Sequence, residues 1–136
     1  MGQREELLEQ TIRLFEPLVE RHGFRPPTVA TVGRSTHLDY LSTELGVEIE
    51  FDWREFQAFV LLVRLEGGEL PDGYYVANGR TVRKHLKEVF RKRAWAMVDW
   101  GSRQPSEEDI IGYLTDVRDM LLPRIRELLE LGETLF

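Results

Sequence analysis

Residues 46–65, GVEIEFDWREFQAFVLLVRL, constrain the fold more than any other stretch of this chain. Val47, Ile49 and Phe51 alternate with Glu48, Glu50 and Asp52, the period of a strand with one buried face. After Asp52-Trp53-Arg54-Glu55, residues 56–65 are almost entirely apolar. Two strands about a short turn make a β-hairpin. Its second strand is apolar on both faces and calls for cover on both. Helices of the same chain can supply one side. Another segment, a second subunit in a homodimer, or a partner can supply the other.

Register decides which side chains share a face. A tight loop at Trp53-Arg54 groups Val47, Ile49, Phe51, Ala58, Val60 and Leu62. A three-residue loop brings Phe59 and Leu61 to that face instead. Neither central residue is Gly or Asn, so a longer loop is expected, built on a type I turn that opens at Asp52.

Helical periodicity flanks the hairpin. Leu8, Ile12, Phe15 and Val19 recur at helical spacing and predict a helix over 4–22, bent near 13–16 by Pro17 and stopped by Gly23. Residues 28–45 hold one or two strands. Thr28 to Val32 reads as a short edge strand, and Leu38 and Tyr40 alternate with His37, Asp39 and Leu41. Tyr74 to Val76 suggests a further short strand. A helix is expected from about Thr81 to at least Arg93. Ser106 then caps a last helix, which Pro123 kinks or divides. The pattern is a single α+β domain over 1–136: an N-terminal helix, an antiparallel β-meander of three to five strands, then two or three C-terminal helices packed on one sheet face.

Composition narrows the function classes. There is no cysteine, which excludes disulfides, thiol catalysis and thiolate metal sites. The first ten residues carry no secretory apolar region, and no run approaches a membrane span, so a cytoplasmic protein with no membrane partner is expected. His22, His37 and His85 are isolated and match no metal-binding spacing. No nucleophile elbow or phosphate-binding glycine loop occurs. No catalytic residue, metal or cofactor is therefore assigned.

Net charge is −6, which disfavours general nucleic-acid binding. Residues 80–93, however, carry seven cations against Glu88 alone. Arg80, Arg83, Lys84, Lys87 and Arg91 are the candidate anion-binding set if this stretch is functional. Its plainer reading is a solvated or internally paired helix face. Glu48, Glu50 and Asp52 are first a solvated strand face, and second a surface for a basic partner. Trp53, placed in a turn beside Glu55, reads as an exposed contact anchor.

The residues Tyr40-Leu41-Ser42, Gly46 to Asp52, Arg54-Glu55 and Val60 to Val63 loosely resemble small acidic bacterial α+β proteins that serve as immunity partners of toxins. In size and acidity the chain is also similar to type III secretion chaperones, although those interleave a helix within the sheet. Either resemblance implies a non-enzymatic protein-binding domain, and neither supplies catalytic residues. The expected function is thus a cytoplasmic protein-binding domain of immunity or chaperone type, with Glu48, Glu50, Asp52, Trp53 and Glu55 as partner-binding residues. One alternative is a nucleic-acid-associated protein using the basic stretch. A second is an enzyme whose site gathers around Asp39, Asp52 and His37.

Overall fold

The computed structural model describes residues 2–136. The first helical region is α1 (Gln3–Leu14) and α2 (Glu16–His22), which meet at Phe15. The break follows from Pro17, which has no N–H to bond back to the Arg13 carbonyl. Gly23, at φ +75, closes α2 in the left-handed conformation that glycine adopts without steric cost.

A meander follows: β1 (Thr28–Val32), β2 (Ser35–Leu41), β3 (Leu45–Asp52) and β4 (Gln57–Arg64). Gly33 takes φ +59 in the two-residue loop between β1 and β2, where Val32 pairs with Ser35. The central hairpin pairs Phe51 with Ala58 and Val47 with Leu62. Its loop is the longer one expected, spanning 53–56, and Asp52 Oδ1 accepts hydrogen bonds from the Arg54 and Glu55 amides at 3.0 and 3.2 Å. The face shared by Val47, Ile49, Phe51, Ala58, Val60 and Leu62 is nevertheless the one a tight loop would give, because two added residues preserve parity.

The basic stretch departs from expectation. Instead of one helix from Thr81, the chain forms β5 (Val76–Ala77), β6 (Arg80–Thr81), β7 (Arg83–His85) and only then α3 (Leu86–Lys92). Asn78 and Gly79, at φ +52 and +76, close a two-residue β5–β6 hairpin, the loop type that Asn-Gly favours. β7 then pairs antiparallel with β4, Leu61 opposite His85. Sheet pairing overrides a helical spacing of cations. Tyr74 and Tyr75 precede β5 rather than forming a strand of the main sheet.

The main sheet runs β1-β2-β3-β4-β7, and all its pairs are antiparallel. The C-terminal region is α4 (Glu107–Leu121), a 3-10 turn Leu122–Arg124 containing Pro123, and α5 (Ile125–Leu131). Ser106 Oγ accepts the Asp109 amide at 3.1 Å, so the expected cap is present. Leu38, Tyr40, Val47, Ile49, Phe51, Val60 and Leu62 form one core with Leu7, Phe15 and Leu18 of the N-terminal helices and Ile110, Leu114 and Val117 of α4. The chain is therefore an α+β fold with helices on one sheet face. No described helix is long and apolar enough to cross a membrane.

The second sheet face is covered by the chain itself. Segment 66–82 leaves β4, crosses that face and returns at β7. Its Leu70 packs on Leu41, Val63 and Leu65. The cover that the apolar second strand demanded is thus partly an excursion of the same chain.

Candidate functional site

Under segment 66–82 the second sheet face is polar. Alternation places Ser35, His37 and Asp39 of β2, Glu48 and Glu50 of β3, and Arg83 and His85 of β7 on it. These strands are ordinary β-formers on their other face. Direct cross-strand pairs are His37 with Glu50 and Asp39 with Glu48. Tyr74 and Tyr75 arrive from the excursion, and a cleft of about 570 Å³ opens between them, β1 and the sheet.

Arg83 organises the cluster. Its Nε donates to Glu48 Oε1 at 2.9 Å and its Nη2 to Glu48 Oε2 at 3.2 Å, a bidentate pair in which both side chains are buried. Its Nη1 donates to the Gly73 and Tyr74 carbonyls at 2.8 and 2.9 Å, and its guanidinium lies 4.8 Å from the Tyr74 ring centroid. One side chain thus neutralises a buried carboxylate and ties the excursion to the sheet. Tyr74 adds a second tie, donating from its hydroxyl to Glu50 Oε1 at 2.6 Å. Tyr75 adds a third, its hydroxyl 3.1 Å from His85 Nε2.

The His37 ring bridges two carboxylates, with nitrogens 3.4 Å from Glu48 Oε2 and 3.2 Å from Glu50 Oε1. The hydrogen bond to Glu48 raises its pKa, overcoming burial. Glu48 is pushed up by burial, but hydrogen bonds from His37, Asp39 and Arg83 outweigh that and hold it well below the usual carboxylate range. Asp39 moves the other way. Burial first, then the neighbouring Glu48, pushes its carboxyl up to about 8. Arg83 offsets only part of this, because its hydrogen bonds go elsewhere, and Asp39 Oδ1 has no hydrogen-bond partner. Near neutral pH the cluster therefore pairs a protonated Asp39 with an ionised Glu48.

His37, Glu48 and Glu50 each bring a ligand-type atom within 4.8 Å of the others. The arrangement suits a proton better than a metal ion. Both Glu48 oxygens are engaged by a guanidinium, and both ring nitrogens of His37 already face carboxylate oxygens.

The expected partner-binding residues do not form one surface. Glu48 is fully buried in the ion pair, and Glu50 is partly buried beneath Tyr74. Asp52 caps the 53–56 loop, away from the polar pairs that β2 and β3 form farther along. Trp53 is buried rather than exposed: its ring stacks 5.2 Å from Phe51, and its Nε1 donates to Thr36 Oγ1 at 2.7 Å. Only Glu55 of the set is fully at the surface. The anion-binding set is also divided. Arg83 is buried, Arg80 lies exposed on β6, Lys84 lies on β7, and Lys87 and Arg91 are exposed on α3. Of the residues considered for an enzyme, His37 and Asp39 do meet, and Asp52 does not join them.

Sequence patterning alone does not disclose the roles of Arg83, Tyr74 and Tyr75. Strand parity across β2 and β3 could have grouped His37 and Asp39 with Glu48 and Glu50. Nothing local marked Arg83 as their counter-ion.

The open edge of the sheet borders the same cleft. All five residues of β1 are exposed, and Ala30 and Val32 line the cleft. The large exposed apolar side chains of the described residues are Val29, Val32, Tyr74, Tyr75 and Val76, all on β1 or the excursion facing it. Comparisons with protein-family models, with curated proteins and with solved structures find no match.

Proposed function

We propose that this chain is a non-enzymatic protein-binding domain that takes up an extended, basic segment of its partner along the open edge of β1. The observation that supports this most directly is the edge itself. β1 reads Thr-Val-Ala-Thr-Val, uncharged and exposed at every position, and it pairs on one side only. Its two-residue loop closes on Val32 and Ser35, so alternation turns the N–H and C=O of Val29 and Thr31 outward. Natural sheets blunt such edges with charge, proline or cover. The opposite edge follows that rule: β7 is three residues long, includes Arg83 and Lys84, and runs straight into α3. β1 does not. An added strand would gain main-chain hydrogen bonds for affinity and adjacent pockets for specificity.

Charge selects the occupant. Glu48, Glu50 and Asp72 line the cleft beside β1 against Arg83 and His37, with the protonated Asp39 among them, and the chain as a whole carries −6. A second copy would bring the same acids to the interface, whereas a basic segment complements them. Binding also suits the cluster better than catalysis, because the polar atoms of Glu48, Glu50, His37 and Arg83 are already engaged with one another. Immunity- and chaperone-type proteins belong to this non-catalytic class.

A displayed library of random linear peptides, selected against the full chain, tests the reading. Enriched peptides are expected to be rich in Lys and Arg and to lose binding to Thr31→Pro, which removes an outward N–H at an edge where proline is tolerated. Binders indifferent to Thr31→Pro would overturn it.

A further inference from the structure

Asp39 is only half engaged by the cluster: it hydrogen-bonds Glu48 and leaves its other oxygen over. It is 2% exposed and lines the cleft, yet its Oδ1 has no hydrogen-bond partner. The nearby cation cannot serve it. Arg83 spends Nε and Nη2 on Glu48 and Nη1 on the Gly73 and Tyr74 carbonyls. His37 reaches toward Glu48 and Glu50. Asp39 therefore keeps its own proton, as burial and the facing Glu48 require. A cation entering from the cleft would find in Oδ1 a buried acceptor without a partner.

The walls suit the rest of such a ligand. Leu70, Pro71, Ala30 and Val32 offer apolar surface for a methylene stem. The Tyr74 and Tyr75 rings stand edge to face at 4.5 Å; Arg83 already lies over Tyr74, and Tyr75 is 47% exposed. An aromatic wall above carboxyl groups is the environment that stabilises an organic cation. The volume, about 570 Å³, is that of an ordinary ligand pocket. A divalent metal fits less well, because the guanidinium of Arg83 already holds both oxygens of Glu48.

We infer that this cleft binds an alkylammonium or alkylguanidinium group, supplied by a lysine or arginine side chain of the docked segment on the cleft side of β1. The source of the side chain rests on the strand-addition reading above; the chemistry of the cleft does not.

The test uses free probes, so that the two readings fail separately. The full chain is titrated with the Nα-acetyl methylamides of lysine, arginine and norleucine, and the ring signals of His37 and Tyr74 are followed by NMR. Lysine or arginine is expected to bind about tenfold or more tightly than norleucine, the scale of one hydrogen bond to a charged group. Asp39→Asn and Glu50→Gln are each expected to erase that preference, and Glu50→Gln keeps the test open if the first variant misfolds. Equal binding of the three probes, or cationic probes that leave both rings unmoved, would overturn the inference. Strand addition is read independently, from peptide binding to wild type against Thr31→Pro.

Discussion

Asp39 and Glu48 face one another across β2 and β3, both buried, and the pair carries one negative charge rather than two. Two neighbouring buried carboxylates cannot both ionise cheaply. Arg83 and His37 settle which one does, because their hydrogen bonds go to Glu48.

A pH dependence of stability follows, with a definite sign. The folded value for Asp39, about 8, lies above the unfolded value of about 3.9. Its contribution is complete below the unfolded value and is lost as pH rises through the folded one. His37, also raised, acts in the same direction, whereas His22 and His85, both lowered, act against it. The difference between wild type and Asp39→Asn isolates the aspartate. Thermal melts from about pH 5 to about pH 8 should show wild type losing stability relative to the variant. Parallel curves would mean that Asp39 ionises normally.

Arg83 is the main tie between segment 66–82 and the sheet. Arg83→Met strands a buried carboxylate and frees two carbonyls, and should cost about 3–5 kcal/mol in urea denaturation. Adding Glu48→Gln removes the stranded charge and should recover a large part of that loss. A double variant no more stable than the single would show that the ion pair is not what the fold depends on here.

Trp53 belongs to the core. Trp53→Ala removes the stack on Phe51 and should cost about 3–5 kcal/mol. Trp53→Phe keeps a ring in place and loses mainly the hydrogen bond to Thr36, about 1 kcal/mol. Unchanged stability of the alanine variant would return Trp53 to the role of a surface anchor.

The parts of the fold that the sequence disclosed are those with a strong local cause. Pro17 and Pro123 break helices because they lack an N–H, Ser106 caps because its hydroxyl reaches Asp109, and Val47, Ile49 and Phe51 alternate because the core needs them. The site was less legible. Alternation separates polar from apolar but not wet from dry, so Glu48 read as solvated although it is buried. What buries it is a turn-rich segment with no periodicity of its own. Within that segment Asn78-Gly79 was the usable signal, since the dipeptide favours a two-residue hairpin over the start of a helix. Arg80, Lys84, Lys87 and Arg91 mimicked a helical stripe only because a short strand and a helix happen to follow one another there.

The central claim is that the edge of β1 receives a partner strand, and amide hydrogen exchange on the full chain tests it most directly. A basic peptide selected for binding is added at saturation, and exchange is read residue by residue. The account predicts that the Val29 and Thr31 amides, fast in the free protein, become at least about tenfold slower, while Ala30, already bonded to β2, changes little. Protection that appears on α3 or at the 53–56 loop, with Val29 and Thr31 still fast, would contradict it.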